Sequence, residues 1–406
     1  MNGEIIAVGT ELLLGNIVNT NAQFLSEELS NIGINVYYQT VVGDNKERLK
    51  EVIKCALSRA DLLILTGGLG PTDDDLTKET VASLLGLDMY LHKESQELIE
   101  KYLNKKISQS NLKQAYIPKG AIILKNDNGT APGIIIENGE KIIVLLPGPP
   151  KEMAPMFSQK VKPYLEKKSP YVMRSKILRL FGIGESSIGD KIKDLMQNEN
   201  PTVAPYAKDN ETILRVTARA ASKEEADNLN SKMIKEIDKR LGEFIYSHDD
   251  TALNIVCARK LIEKNITIAA AESCTAGLFA ATLAETPGIS SVLFESVVTY
   301  ANEAKEKYLG VKHETLEKFG AVSEETAREM ADGIRELSKA DVGISITGLA
   351  GPDGGTEKKP VGLVYIGIAT EDGTKTYELK LIGRDRNKIR HAAVMNALSI
   401  VYKSLE

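Results

Sequence analysis

Residues Ile266–Leu283 read ITIAAAESCTAGLFAATL. Ile266–Ala271 is apolar throughout and stops abruptly at Glu272-Ser273-Cys274-Thr275, after which an Ala/Leu-rich helix is predicted to begin near Ala276. A strand that ends in polar residues and turns directly into a helix lifts a side chain to the carboxyl edge of a sheet, where α/β proteins build their sites. The first turn of that helix also offers unpaired N–H groups and the positive end of its dipole. Ser273 and Cys274 both fall at this edge, and each is a candidate nucleophile. The competing explanation is structural: Glu272, Ser273 and Thr275 would serve simply to cap the helix.

Around this turn the spacing predicts a helix over Ala252–Lys264, strands over Val292–Val298, Asp341–Ile346 and Leu363–Ala369, and a further strand over Thr374–Leu381 beside the last. Helices are expected from Asn302, over Ser323–Ser338, and over Asp385–Lys403. The amino-terminal region shows the same alternation. Residues 3–9, Ile34–Val42 and Asp61–Leu65 read as strands, with helices over Asn19–Gly33 and Lys46–Arg59 between them. Alternating strands and helices predict a parallel, doubly wound sheet. From about Ser169 the texture changes to a small α+β segment with one alternating strand, a hairpin and the charged helix Ser222–Leu241. That segment has the element order of a KH module but no GxxG clamp, so a spacer or dimerisation role is expected and nucleic-acid binding is not. The fold class is therefore α/β: two unrelated three-layer domains, 1–167 and 250–406, joined by a small α+β domain, 168–249.

The 406 residues are 42% hydrophobic, enough for two or three packed domains. A formal net charge of −5 argues against a broad nucleic-acid-binding field, so an anionic ligand must be held by local Arg, Lys or backbone N–H groups. Cys55, Cys257 and Cys274 are an odd set without metal spacing, which suits a reducing cytoplasm. His92, His248, His313 and His391 are scattered, which disfavours a zinc site. Neither a signal peptide nor a membrane span is read from the sequence.

Two constellations carry chemistry. The first is Thr66-Gly67-Gly68-Leu69-Gly70-Pro71-Thr72-Asp73-Asp74-Asp75, a glycine-rich turn running into three carboxylates. Glycines such as Gly67 and Gly68 let backbone approach a diphosphate, and carboxylates recruit Mg²⁺-like cations that bridge phosphate oxygens. Asp44, at the end of a neighbouring strand, would add a metal ligand or a base. One of Asp74 and Asp75 would also suit a cap for the following helix.

The second surrounds Ser273. In Thr299-Tyr300-Ala301-Asn302-Glu303-Ala304-Lys305, an Asn302 N-cap would put Lys305 at the third helical position. The positive field there, and burial, would favour its neutral amine, which can take a serine proton. Tyr300 would relay the proton or orient the amine. A solvated helix with Lys305 paired to an acid is the other reading. Thr347-Gly348-Leu349-Ala350-Gly351 is a small-residue loop after a strand, fit to hydrogen-bond an oxyanion, ribose or phosphate. Arg384 and Arg386 stand at a helix start with Arg390 four residues on, a positive cluster that an external phosphate would relieve.

GTELLLGNIVNTN, TGGLGPTDDDLT, NGTAPG and LLPGPPKEM in residues 1–167 resemble the amino-terminal, MoaB/MogA-like domain of the CinA family. AESCTAGL, TYANEAK, ITGLAGPDGG, KPVGLVY and GRDRNKIR resemble that family's carboxy-terminal, PncC-like domain, so the resemblance spans the chain. It implies metal-dependent hydrolysis of ADP-ribose to AMP and ribose 5-phosphate in the first domain. Asp44, Asp73, Asp74 and Asp75 would serve metal (Mg, Mn or Co class) and water, and Glu11, Asn19, Asn128 and Thr130 would line the cleft. For the last domain it implies cofactor-free deamidation of nicotinamide mononucleotide, with Ser273 as nucleophile, Lys305 as base and Tyr300 as partner. Thr347, Gly348 and Gly351 would lie near the substrate, with Arg384 and Arg386 at its phosphate. Ala276 stands where the family usually has glycine. The expected protein is a cytoplasmic homodimer without membrane contact. A non-catalytic nucleotide or pterin sensor acting through partners, and a molybdopterin-handling enzyme, are the alternatives.

Overall fold

The computed structural model describes residues 1–168 and 171–405; Ser169, where the change of texture was placed, lies outside the described residues with Pro170 and Glu406. The chain forms two compact units, Met1–Ser175 with Thr217–Lys232, and Lys176–Val216 with Met233–Glu406.

In the first unit, strands β1 (Asn2–Val8), β2 (Asn35–Val42) and β3 (Leu62–Thr66) are followed by a ribbon of β4 (Met89–Leu91) and β5 (Tyr116–Pro118). Strands β6 (Ile122–Leu124), β7 (Gly133–Asn138) and β8 (Lys141–Leu146) complete a six-stranded sheet of order β2-β1-β3-β8-β7-β6. β2, β1, β3 and β8 are mutually parallel, as the alternation predicts, but β7 runs antiparallel to both of its neighbours, β8 and β6. The cause is chain length. Only Gly139 and Glu140 separate β7 from β8, which suffices for a hairpin and not for a crossover. Helix Lys46–Arg59 starts because Asn45 Oδ1 accepts from the Arg48 N–H, and it buries Leu49, Ile53 and Ala56 along one stripe. Each fully buried Leu or Ile of this kind contributes roughly 1.5–3 kcal/mol.

The middle stretch has its own four-stranded sheet of order β10-β11-β9-β12, made of β9 (Val172–Leu180), β10 (Thr202–Lys208), β11 (Glu211–Ala220) and β12 (Ile245–Ser247).

The last section folds on β13 (Ile268–Glu272), β14 (Leu293–Val298), β15 (Val342–Gly348), β16 (Leu363–Thr370) and β17 (Gly373–Lys380), in the order β14-β13-β15-β16-β17. β14, β13 and β15 are parallel, and the last two strands return antiparallel. β13 is buried on both faces. Ala270 faces one cluster with Leu261, Ala393 and Ala397, while Ala269 and Ala271 face another with Leu309, Met330 and Ile334. Alanines at the centre let helices pack closely on both sides, giving the three expected layers. Helix Glu324–Ser338 is capped by Ser323, whose Oγ accepts from Thr326 N.

Candidate functional site

Two sheet edges gather the chemistry-bearing residues. In the last section, β13 lies between parallel neighbours, so the crevice opens at their carboxyl ends. Ser273 follows β13 directly, and its N–H donates to Ile346 O at 2.9 Å. The fully buried Glu272 carboxylate accepts from the N–H groups of Phe279 and Ala280, each at 3.0 Å. Capping of the helix Leu278–Ala284 is thus done by Glu272, which leaves the Ser273 hydroxyl available. The reversal between strand and helix is made by Ala276 (φ 52°) and Gly277 (φ 89°), both left-handed, with the Ala276 side chain exposed. Its methyl therefore crowds nothing inside; its cost is backbone strain.

Lys305 is 0% exposed. Its Nζ donates to the carbonyls of Thr299 (2.7 Å) and Tyr300 (3.2 Å) and lies 3.3 Å from Ser273 Oγ. Burial pushes its pKa below the ordinary lysine value. A neutral amine has two hydrogens and one lone pair. With both hydrogens on carbonyls, the lone pair is the vertex left for the serine. The acid partner considered for this lysine is absent from its hydrogen bonds, which go to two carbonyls and Ser273. Cys274, by contrast, is buried without such help, and burial pushes its thiol up to about 12. A thiol that stays protonated is a poor nucleophile.

Several expectations need correction. The N-cap of helix Asn302–Leu309 is Ala301, so Lys305 is the fourth helical residue and burial, more than the helix field, depresses its pKa. Tyr300 orients the amine through its carbonyl, whereas its half-exposed phenol accepts from Arg386 Nη2 at 2.9 Å. Arg386 Nη1 also donates to Gly351 O at 2.6 Å, which brings Arg386, Tyr300 and Gly351 together at one rim. Arg384 is turned away, donating to Asn210 Oδ1 on the turn between β10 and β11. Thr347 is buried and commits its hydroxyl to Ala321 O, so it shapes the loop before Gly348. Arg390 Nη2 donates to Thr275 O at 2.9 Å, bracing the turn that carries Ser273. Its four-residue spacing from Arg386 is the sequence signal that points to this place.

The second edge lies in the first unit. The ends of β1, β2, β3 and β8 enclose a cleft of about 400 Å³ lined by Glu11, Asp44, Gly67, Gly68, Asp74, Asp75 and Thr130, together with Gln114 and Glu152. Glycine is required at the turn. Gly67 (φ +103°) and Gly68 (φ +67°) are left-handed, and a Cβ would meet Val8 O at 2.1 Å and Thr77 Oγ1 at 2.2 Å respectively. Asp44 Oδ2 accepts from the N–H and hydroxyl of Thr10 at 2.9 and 2.8 Å, and Asp75 Oδ2 from Thr72 N at 3.0 Å. A hydrogen bond from Thr72 holds Asp74 below the usual carboxylate range. Asp73 is exposed and outside the cleft lining, and so is Asn128, whose Nδ2 donates to Lys151 O. Asn19 accepts from Ala22 N as a helix cap and lines a neighbouring cavity of about 260 Å³ that shares Glu11. Gln114 of the wall was missed because nothing in its local sequence marks it, whereas Glu152 lies within the LLPGPPKEM motif but was not singled out there.

Among the described residues, no three His, Cys, Asp or Glu side chains gather closely enough to hold a metal ion by themselves. The cleft instead presents Asp44, Asp74 and Asp75 as separate hard oxygen donors. That set fits a cation such as Mg²⁺, which takes one or two carboxylates and completes its shell with water and phosphate oxygens.

Residues 4–167 match the family model described as "Probable molybdopterin binding domain", residues 175–247 that of the "Damage-inducible protein CinA KH domain", and residues 250–405 that of the "CinA C-terminal domain". A protein of Acetivibrio thermocellus named for competence-damage induction is 53% identical over 99% of this chain and 98% of its own length. A "CinA-like protein" of Kosmotoga olearia is 52% identical over 100% and 99%. The crystal structure of a CinA protein from Thermoplasma acidophilum is 37% identical, covering 40% of this chain and 96% of that one, with a TM-score of 0.39. No helix among the described residues is long and apolar enough to cross a membrane. With similarity at this level running from end to end and three successive domains matched in order, the chain belongs to the CinA family of competence-damage-inducible proteins.

Proposed function

We propose that this chain is a two-site nucleotide hydrolase, releasing ammonia from nicotinamide mononucleotide at Ser273 and hydrolysing the diphosphate of ADP-ribose in the cleft of Asp44, Asp74 and Asp75. One observation carries the reading: a wholly buried lysine, its hydrogens directed to two carbonyls, 3.3 Å from the hydroxyl at a strand tip. This is the arrangement of nucleophile, base and orienting group that covalent acyl transfer needs.

For the amide, Lys305 accepts the Ser273 proton as Oγ bonds to the carboxamide carbon. Lys305 then returns that proton to the departing nitrogen, which leaves as ammonia when the C–N bond breaks. A water, deprotonated by the same amine, releases the nicotinate carboxylate and restores the serine. Arg386, at the rim with Tyr300 and Gly351, is suited to the substrate phosphate, exchanging its present carbonyl and phenol partners for two phosphate oxygens.

For the diphosphate, Gly67 and Gly68 allow close backbone approach, and Thr10 and Thr72 fix the carboxylates Asp44 and Asp75. One or two of the carboxylates Asp44, Asp74 and Asp75, with water and phosphate oxygens completing the shell, would hold a divalent cation, which when bound neutralises diphosphate charge and acidifies water. The test is to assay the purified protein with both substrates. Ser273→Ala should abolish ammonia release only, while Asp74→Ala or a chelator should stop ADP-ribose hydrolysis only. Loss of both activities in either case would count against two independent sites.

A further inference from the structure

Gln114 lines the amino-terminal cleft and has no role in the chemistry proposed there. It follows the ribbon's first strand in sequence and precedes its second, and it is 1% exposed. Its Nε2 donates to Leu69 O at 3.3 Å, inside the glycine-rich turn, while its Oε1 is buried with no partner. The backbone around it is pinned. Lys78 Nζ donates to the carbonyls of Lys113 (2.9 Å) and Gln114 (3.3 Å), and Lys113 Nζ donates to Thr72 O (2.7 Å) and Asp75 O (2.5 Å). A buried carbonyl oxygen without a donor is costly, on the order of 1–3 kcal/mol, and at the wall of a cleft it is placed to accept from a ligand or water. The cleft wall around it is dominated by acceptors, the carboxylates of Asp44, Asp74, Asp75 and Glu152. A diphosphate also brings only acceptors. An amide oxygen only accepts, so its partner must be a donor that neither the carboxylates nor the diphosphate supply, and in hydrolysis the donor that the reaction itself supplies is the attacking water.

We infer that Gln114 is the water-positioning residue of the diphosphate-cleaving site, a conclusion that rests on the proposed function above. Its Oε1 accepts a hydrogen bond from the water and aims the oxygen lone pair at phosphorus. The water oxygen bonds to phosphorus as the bridging P–O bond breaks, and the electron pair of that bond leaves with the other phosphate. One water proton passes to a cleft carboxylate and on to solvent; the other stays on the new phosphate. The amide takes no proton. The long Nε2–Leu69 bond and the soft terminal torsion of glutamine let Oε1 swing from the wall into the cleft.

The experiment uses the full chain, wild type and Gln114→Met, with ADP-ribose and saturating Mg²⁺ or Mn²⁺. Ammonia release from nicotinamide mononucleotide and the melting curve are followed on the same samples. Gln114→Met keeps the length and removes the acceptor, so kcat should fall roughly a hundredfold with KM within about twofold. Gln114→Glu, which restores an acceptor oxygen, should recover part of that kcat, and it serves as the working variant if Gln114→Met does not fold. A kcat for Gln114→Met within about threefold of wild type overturns the inference. A rise in KM at unchanged kcat also overturns it, because Gln114 would then contact a substrate hydroxyl. So does a loss in Gln114→Glu as large as in Gln114→Met. Wild-type protein that turns over no ADP-ribose overturns the parent reading and this inference together, and the wild-type control separates that result from the others.

Discussion

Replacing Lys305 by methionine tests the carboxy-terminal site most directly. The side chain is wholly buried, and its nitrogen is 3.3 Å from Ser273 Oγ. Methionine keeps most of the volume and removes the proposed base. An ordinary lysine at pH 7.5 is neutral in about one molecule per thousand, and every unit by which burial lowers its pKa raises that fraction tenfold. With a positioned base worth about 10²–10⁴ in rate, Lys305→Met should lower kcat for ammonia release by that factor. Folding should survive. The carbonyls of Thr299 and Tyr300 each lose a donor, at a cost on the order of 1–3 kcal/mol, but the variant no longer desolvates an amine. Stopped-time ammonia assays across pH 6–10 supply the second arm. The wild-type kcat/KM should climb with pH and level off below the ordinary lysine value of 10.5, because the neutral amine is the active form. A variant within tenfold of wild type, or a wild-type kcat/KM still climbing tenfold per pH unit at pH 10, would refute the lysine-base argument.

Three further outcomes are expected. Cys274→Ala should keep most of the ammonia release proposed for this site, since burial holds that thiol protonated to about pH 12, and loss matching that of Ser273→Ala would make the thiol the nucleophile. Ala276→Gly should stabilise the last section by about 0.5–1 kcal/mol, the relief of a left-handed alanine (about 1–2) less the added chain entropy of glycine (about 0.5–1); a lower Tm would contradict the strain argument. Burial lowers Lys78 to about 8 from an ordinary 10.5, so between those values the folded state binds fewer protons than the unfolded one. Its contribution therefore makes stability rise with pH across that window, by at most roughly 3 kcal/mol, and denaturant titrations should find that rise reduced in Lys78→Met.

The alternation of apolar runs with amphipathic segments was enough to read both α/β sections, because buried central strands such as β13 and β3 admit little but apolar residues. The short ribbon of β4 and β5 escaped notice, being three residues a side with no period to detect. Motifs placed Ser273, Lys305, Asp44 and Asp74 near sheet edges, since a polar residue at a strand tip leaves a local signature. Which atoms meet there was not local information. Tyr300 offers its carbonyl to the amine while its phenol turns to Arg386, and Arg384 leaves the rim for Asn210. The bracing by Arg390 and the orphan acceptor of Gln114 likewise arise from segments distant in sequence. The sequence by itself determined the layers, the strand tips and the residue types stationed at them, because periodicity and turn chemistry act over a few residues. Only the tertiary structure decided which lone pair faces which hydrogen and which cation is stripped of water, because burial and hydrogen-bond geometry depend on parts of the chain that no local pattern connects.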